Sequence, residues 1–471
     1  MQKEATMNSQ NRNSIWRQAM YYVLFGLMLS SVAFDIFGLN HVLPIVGLIL
    51  QWIGFCRLQH ETIWFRLCFW STTIRTAIQI CEIGLKATIW RSMVYQTTIY
   101  QGINILDLIL TFVIIICFWL GMRAIRCSLT EQIENRAAGW LLLWYVVLFL
   151  LAFLQLGNVL GLAMFVLYFV IFYKLFKLSA QIDANGYQVQ NTATIRSERY
   201  FAGMVSIILV LCIGIGYLCF HQYPMEWQEI SKETQMTQFD NKIYQHLKLL
   251  GVDEYVLQDL SAEDLALCKD AIRVHVEKES SISSLNNEYE QDVLTLNFTH
   301  VAIELPSENE NAVWRIIHHF QWSEPLDFYG TEGMKLWQTY LTRDENWIKF
   351  SEITGQALYD SDGKTYYAPY YSIYEDNYEV DTVFWGEQTH NDSFVAFSYP
   401  KGGETYRGYV TYAAKELVST STIASWVNYA HCRSAVSYPV RTAVDFLKAT
   451  NGKTDFFYTQ QALQFYPPEI E

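Results

Sequence analysis

The pattern of hydrophobic and polar positions changes character near residue 220. Before it, long charge-free runs dominate; after it, apolar and polar residues alternate between turns. Between Arg136 and Lys174 lie 37 residues without a charge, which as one helix would measure about 55 Å at 1.5 Å per residue. A hydrocarbon core is about 30 Å thick, so the run predicts two membrane spans with Gly157-Asn158 as the turn. Residues 20–39, 42–56, 105–122 and 201–220 read as further spans, and 67–90 as a polar seventh. Beyond 220, the run Asn241 to Gly251 and the capping pattern Ser261-Ala-Glu-Asp264 before Leu265, Cys268 and Ile272 predict short helices. From about Asp292 the period becomes two: Leu294, Leu296 and Phe298 share a face, as do Trp314, Ile316, His318, Phe320 and Trp322. Turns at Asp360-Ser-Asp-Gly363, Pro400-Lys-Gly-Gly403 and Asn451-Gly452 punctuate these runs, and one helix is expected within 440–449. The predicted fold is an all-α polytopic membrane domain of about seven helices (1–220), a helical juxtamembrane segment (221–285) and a β-rich extracytoplasmic domain (286–471). That last domain reads as an antiparallel sandwich with a few helices.

Charge gives this division an orientation. Only 17% of the 471 residues are charged, against about 25% in soluble domains. Residues 1–220 carry 15 Lys/Arg and 9 Asp/Glu, whereas 221–471 carry 18 and 38. With seven spans and an inner N-terminus, the inner segments hold twelve Lys/Arg and the outer loops between spans hold Arg91 alone. The positive-inside rule therefore predicts a plasma-membrane protein with its C-terminal domain outside. Ser31-Val32-Ala33 resembles a signal-peptidase site, but the apolar run continues past it, so no cleavage is expected. The acidic second half excludes nucleic acid as a partner.

Three sets of residues are candidates for chemistry. In the polar span, Ser71, Arg75, Gln79, Glu82 and Lys86 fall within roughly 80° of one another at 100° per residue. Charges at mid-bilayer cost at least about 2.5 kcal/mol each, so they should face the bundle interior and pair. Glu82 with Lys86 is the expected couple, with Asp35 and Asp107 as further partners for Lys86. In the outer domain Tyr366, Tyr370, Tyr374, Tyr378 and Trp385 are interleaved with acids including Glu375 and Asp376, a composition suited to a sugar or cationic peptide. Cys268 and Cys432 are the two cysteines well inside that domain, and an oxidising compartment would permit their bridge. His318 and His319 point to opposite faces of one strand and so cannot hold one metal together. Hydrolase, zinc and nucleotide motifs are missing, and no cofactor is expected.

The segment His41-Val-Leu-Pro-Ile-Val-Gly-Leu-Ile-Leu-Gln-Trp-Ile-Gly-Phe-Cys-Arg-Leu58, closing a hairpin after the first span, resembles the second span of uncharacterised multi-pass membrane proteins of Gram-positive bacteria. Pro44, Gly47 and Gly54 carry the likeness over about residues 20–60, while the family's acidic positions are His41 and Ile45 here. The resemblance implies a bacterial plasma membrane and no particular activity. The expected role is an envelope sensor or regulator whose outer domain binds a ligand and whose output runs through a separate cytoplasmic or membrane protein. A transporter using the polar stripe, or a membrane-bound envelope enzyme, are the alternatives.

Overall fold

Helices form where the apolar runs lie: α1 (Ile15–Ser31), α2 (Leu39–Leu58), α3 (Ile63–Lys86), the short α4 (Arg91–Tyr95), α5 (Thr98–Ser128), α6 (Ala137–Phe153), α7 (Gly157–Ala184) and α8 (Ile195–Phe220). The structure, a computed structural model, describes residues 14–31, 39–129, 136–154, 157–189, 195–231, 241–284, 293–307, 312–337, 347–349, 351–382, 386–416, 422–435, 437–449 and 455–466. Contacts divide the chain into two units, Met1–Leu218 and Cys219–Glu471.

Among the described residues of the first unit, three helices are long and apolar enough to cross a bilayer: Thr98–Ser128, Leu160–Ala184 and Tyr200–Phe220. Length and composition among these residues thus do not support seven spans. Val42–Leu58 and Ala137–Phe153 are apolar but shorter, and α3 carries the charged stripe. Trp16, Phe55, Phe65, Phe118, Trp144 and Tyr168 belong to one buried cluster. Glycine sets the approach of α1 to α2. A Cβ on Gly47 would lie 2.6 Å from Ser30 N and 2.7 Å from Gly26 O, so the backbones nearly touch there. Gln51, fully buried, donates to Gly26 O (3.1 Å) and Ser30 Oγ (2.7 Å) across the same contact. Gly47 and Gly54 are thus packing requirements of this helix pair.

The second unit is built from two antiparallel sheets. Its strands are β1 (Gln228–Glu229), β2 (Arg273–Ser284), β3 (Val293–Leu305), β4 (Val313–Trp322), β5 (Glu332–Trp337), β6 (Trp347–Lys349), β7 (Thr354–Ser361), β8 (Lys364–Pro369), β9 (Ser372–Thr382), β10 (Gly386–Phe397), β11 (Thr405–Glu416), β12 (Ile423–Cys432) and β13 (Phe456–Phe465). The larger sheet runs β1-β8-β7-β11-β4-β3-β2 with β6 also on β11; the smaller runs β13-β12-β5-β10-β9. Inward residues of both sheets, among them Phe298, Trp314, Phe320, Trp322, Met334, Phe397, Val427 and Tyr429, form the central core. The predicted alternation of β4 is present, with Trp314, Ile316, Phe320 and Trp322 all in that core. Three short helices, α9 (Lys242–Leu249), α10 (Glu254–Asp259) and α11 (Ala262–Ala266), pack on the other face of the larger sheet through Tyr244, Leu247, Val256, Leu257 and Leu265. α12 (Ala443–Lys448) covers the other face of the smaller sheet through Ala443, Val444 and Leu447. The β7–β8 turn is a two-residue hairpin in which Asp362 and Gly363 take positive φ (52° and 68°).

The segment 221–285, expected as a helical connection, also contains β2, the edge strand of the larger sheet. Its residues Arg273-Val-His-Val-Glu-Lys-Glu-Ser carry few apolar side chains because an edge strand has little to bury.

Candidate ligand cleft

The helical layer and the larger sheet enclose a polar network and, beside it, a cleft. α10 ends at Asp259, whose carboxylate is buried against the sheet. Arg407 from β11 donates through Nε to both its oxygens (2.9 and 3.0 Å) and through NH1 to Asp360 (2.6 Å). His319, outward-facing on β4, donates from Nε2 to Asp259 Oδ2 at 2.7 Å. Burial alone would raise the Asp259 carboxyl, but the Arg407 charge and the His319 bond together hold it below the ordinary carboxylate value. Next to this, Tyr409 donates to Asp264 (2.5 Å), which also accepts from Thr354 (2.6 Å). Gly355, with φ of 146°, allows the approach of β7 to β11: a Cβ there would sit 2.1 Å from Tyr409 O.

The cleft, about 230 Å³, is lined by Tyr255, Lys278, Glu279, Ser280, Asn297, Phe298, Thr299, His319 and Gln321. Tyr255 forms its aromatic wall, bonding Thr299 Oγ1 at 2.7 Å and meeting His319 edge-on at 5.5 Å between ring centroids. Lys278 donates to Asp253 at 2.9 Å and sits 5.7 Å from the Tyr255 ring centroid; its bond to Asp253 raises its pKa, so it stays charged. Asn297 donates to Ser323 (2.7 Å). The arrangement offers a ring face, an ammonium, two amides and an imidazole held in orientation by a buried carboxylate. Sequence reasoning paired none of these residues. Asp259 is far from His319 in sequence, and the single local signal was the outward position of His319 beside inward His318.

A second histidine cluster lies between the sheets. His300 and His318 meet through their Nδ1 atoms at 2.7 Å, His318 Nε2 bonds Ser425 Oγ at 2.6 Å, and Tyr412 bonds Ser425 at 2.5 Å. This resembles a nucleophile with its base, but all four side chains are fully buried in the core, where no substrate reaches. Burial pushes His300 down to about 4, and burial together with His300 holds His318 well below its ordinary value. His318 and His319 face opposite sides of the sheet, as expected.

The other sequence candidates are placed as follows. Arg75 forms a two-pronged ion pair with Asp107 of α5 (2.8 and 2.9 Å). Lys86 pairs with Glu82 (2.7 Å), which also accepts from Gln79 (3.0 Å). The Glu82–Lys86 couple is therefore present, but Asp107 serves Arg75 rather than Lys86, because it stands beside the middle of α3 and not its end. Asp35 lies outside the described residues.

The tyrosine-rich stretch does not make one face. Tyr366 on β8 stacks on Tyr359 (5.0 Å) in the larger sheet, and Tyr370 is buried with its hydroxyl on Tyr409 O (2.9 Å). Tyr374, Glu375 and Asp376 belong to β9 at the edge of the smaller sheet, where Asp376 pairs with Lys448. The chain changes sheets between β8 and β9, which parts the rings. Trp385 and the side chain of Tyr378 lie outside the described residues. Cys268 and Cys432 are free thiols, one in the α9–α11 layer and the other under α12, on opposite outer faces of the two sheets. The bridge that an oxidising compartment would permit is therefore not formed. Burial pushes the thiols up to about 12 and about 11, so both are poor nucleophiles.

No protein-family model and no curated protein matches the chain. Among solved structures, a "Pore forming protein" overlaps 33% of this chain and 78% of its own at 9% identity and a TM-score of 0.16. Clostridium perfringens delta-toxin overlaps 34% and 79% at 6% identity and 0.12. The membrane-inserted form of the Clostridium perfringens NetB toxin overlaps 34% and 84% at 9% identity and 0.11. Likenesses at such scores carry no argument about fold or function.

Proposed function

We propose that the chain is a multi-pass membrane protein whose C-terminal sandwich lies outside the cytoplasm and binds a small saccharide in the cleft beside His319, acting as an envelope sensor or regulator. The observation that carries this reading is the cleft itself: the Tyr255 ring, the Lys278 ammonium, the Asn297 and Gln321 amides and the Asp259-held His319 converge on one polar concavity. Mixed donors and acceptors beside a ring face suit a hydroxyl-rich ligand. Counted over seven spans, the bias of Lys/Arg toward alternate loops supports the orientation. The polar stripe of α3 is paired within itself and with Asp107, which supports a packing role over a transport path. The longest inner loop, 174–200, is too short for a catalytic output domain, so a separate protein would carry the signal.

The test is calorimetric titration of the full chain in lipid nanodiscs with a panel of neutral and acidic mono- and disaccharides. At least one sugar should bind, and Tyr255→Ala and Gln321→Ala should each weaken it tenfold or more. Absence of binding across the panel, or binding indifferent to both changes, overturns the reading.

A further inference from the structure

The last apolar helix, Tyr200–Phe220, is about 31 Å long at 1.5 Å per residue, close to the thickness of the hydrocarbon core. Residues just after it are fastened to the sandwich. Gln222 Nε2 donates to Phe328 O (3.3 Å) and the Tyr223 amide donates to Ser398 Oγ (3.0 Å). Three residues of extended chain reach no more than about 10 Å, so the Tyr223 end of the sandwich is tethered that close to Phe220.

That end is aromatic. Tyr223 stacks on Tyr371 at 4.6 Å and reaches Thr442 at the start of α12. Tyr371 and Tyr374 remain 39% and 38% exposed. Two cations lie over neighbouring rings: Lys448 is 5.1 Å from the Tyr374 centroid and 5.0 Å from that of Phe394, and Arg441 is 5.2 Å from that of Phe446. The Lys448 ammonium also pairs with Asp376, so the patch is near neutral although residues 221–471 are strongly acidic. Exposed tyrosines whose rings are apolar and whose hydroxyls need water, flanked by Lys and Arg, match the chemistry of a bilayer's headgroup layer.

We propose that the surface formed by Tyr371, Tyr374, Arg441 and Lys448 rests on the lipid headgroups of the membrane that Tyr200–Phe220 crosses. The tether selects lipid as the occupant, since it holds the Tyr223 edge, on which Tyr371 stacks, within about 10 Å of the end of the span. This inference rests on the reading of Tyr200–Phe220 as a span.

The experiment replaces single residues with the photoreactive p-benzoylphenylalanine in the full chain, reconstituted in vesicles of phosphatidylethanolamine and phosphatidylglycerol (three to one). Lipid adducts are read by intact-protein mass spectrometry after illumination. Positions 371 and 374 should give lipid adducts. So should Val210 in the span, while Leu249, exposed on α9 beyond the other sheet, should not. Adducts at 210 but none at 371 and 374, or adducts equal at 249 and 371, overturn the docking surface alone. An absence of adducts at 210 as well overturns the anchoring helix and the docking surface together.

Discussion

The buried pair His300 and His318 predicts a defined acid sensitivity. Both imidazoles are fully buried in the sandwich core and are held neutral there, His300 down to about 4 against an ordinary 6.5. As pH falls below 6.5, the unfolded chain takes up a proton that folded His300 refuses until about pH 4. Stability is therefore lost through that window and levels off below it. At 1.36 kcal/mol per pH unit the loss from this residue is about 3 kcal/mol, and His318 adds to it in the same direction. Asp259, whose carboxyl is held low, also loses stability in acid, so the test must be differential. Pulse proteolysis of the full chain in nanodiscs across a urea series, at pH 7, 6, 5 and 4, would compare the parent with His300→Phe. At pH 7 the variant should be weaker by roughly 1–3 kcal/mol, because His318 loses the partner of its Nδ1. That deficit is an offset. The slope is the prediction: between pH 7 and 4 the parent should lose about 3 kcal/mol more than the variant. Parallel pH profiles would refute the reasoning, since they would mean that folded His300 titrates as an exposed imidazole does.

Two further predictions follow from close contacts. Asp259→Leu leaves the Arg407 and His319 donors without their shared acceptor and should cost about 3–5 kcal/mol, whereas Asp259→Leu with Arg407→Met should cost less than the two single changes added; urea midpoints by the same proteolysis decide. Gly47→Val drives a side chain into Ser30 N and Gly26 O and should destabilise the detergent-solubilised protein by about 1–3 kcal/mol or abolish its yield, while Gly102→Ala, which has nothing within 4 Å, should leave the melting temperature of the protein unchanged or raised.

Much of the fold was legible because it rests on periodicity. The two-residue alternation of β4 and the Asp-Gly turn of β7–β8 are local statements, and local statements survive folding. Span number was less so. Charge-free length marks an apolar helix but not its bounds, as the 17 residues of Ala137–Phe153 show, and the stripe on α3 makes that helix far more polar than its neighbours. Strand β2 escaped notice for the opposite reason: an edge strand can be polar along most of its length, so alternation leaves no trace.

The site was the least legible part, and the reason is geometric. Aromatic residues close in sequence, from Tyr366 to Trp385, looked like one surface, yet the chain passes from the larger sheet to the edge of the smaller one within them. The Cys268 and Cys432 pairing failed in the same way, since even two cysteines in one domain can lie on opposite outer layers. Conversely, Tyr255, Asp259, Lys278, Asn297, His319 and Arg407 come from a helix and four strands, and strand register together with the packing of α10 on the sheet brings them together. Register pairs Thr299 with His319 and Tyr409 with His319 across β3, β4 and β11, fixing one imidazole over the helical layer. A one-residue slip of β4 would turn His319 into the core and His318 out toward Asp259. The apolar set Trp314, Ile316, Phe320 and Trp322 forbids that slip, because it would take four large side chains out of the central core and force them against the helical layer, into the places of Arg315, Ile317 and His319. The core of the sandwich is thus what aims the candidate site.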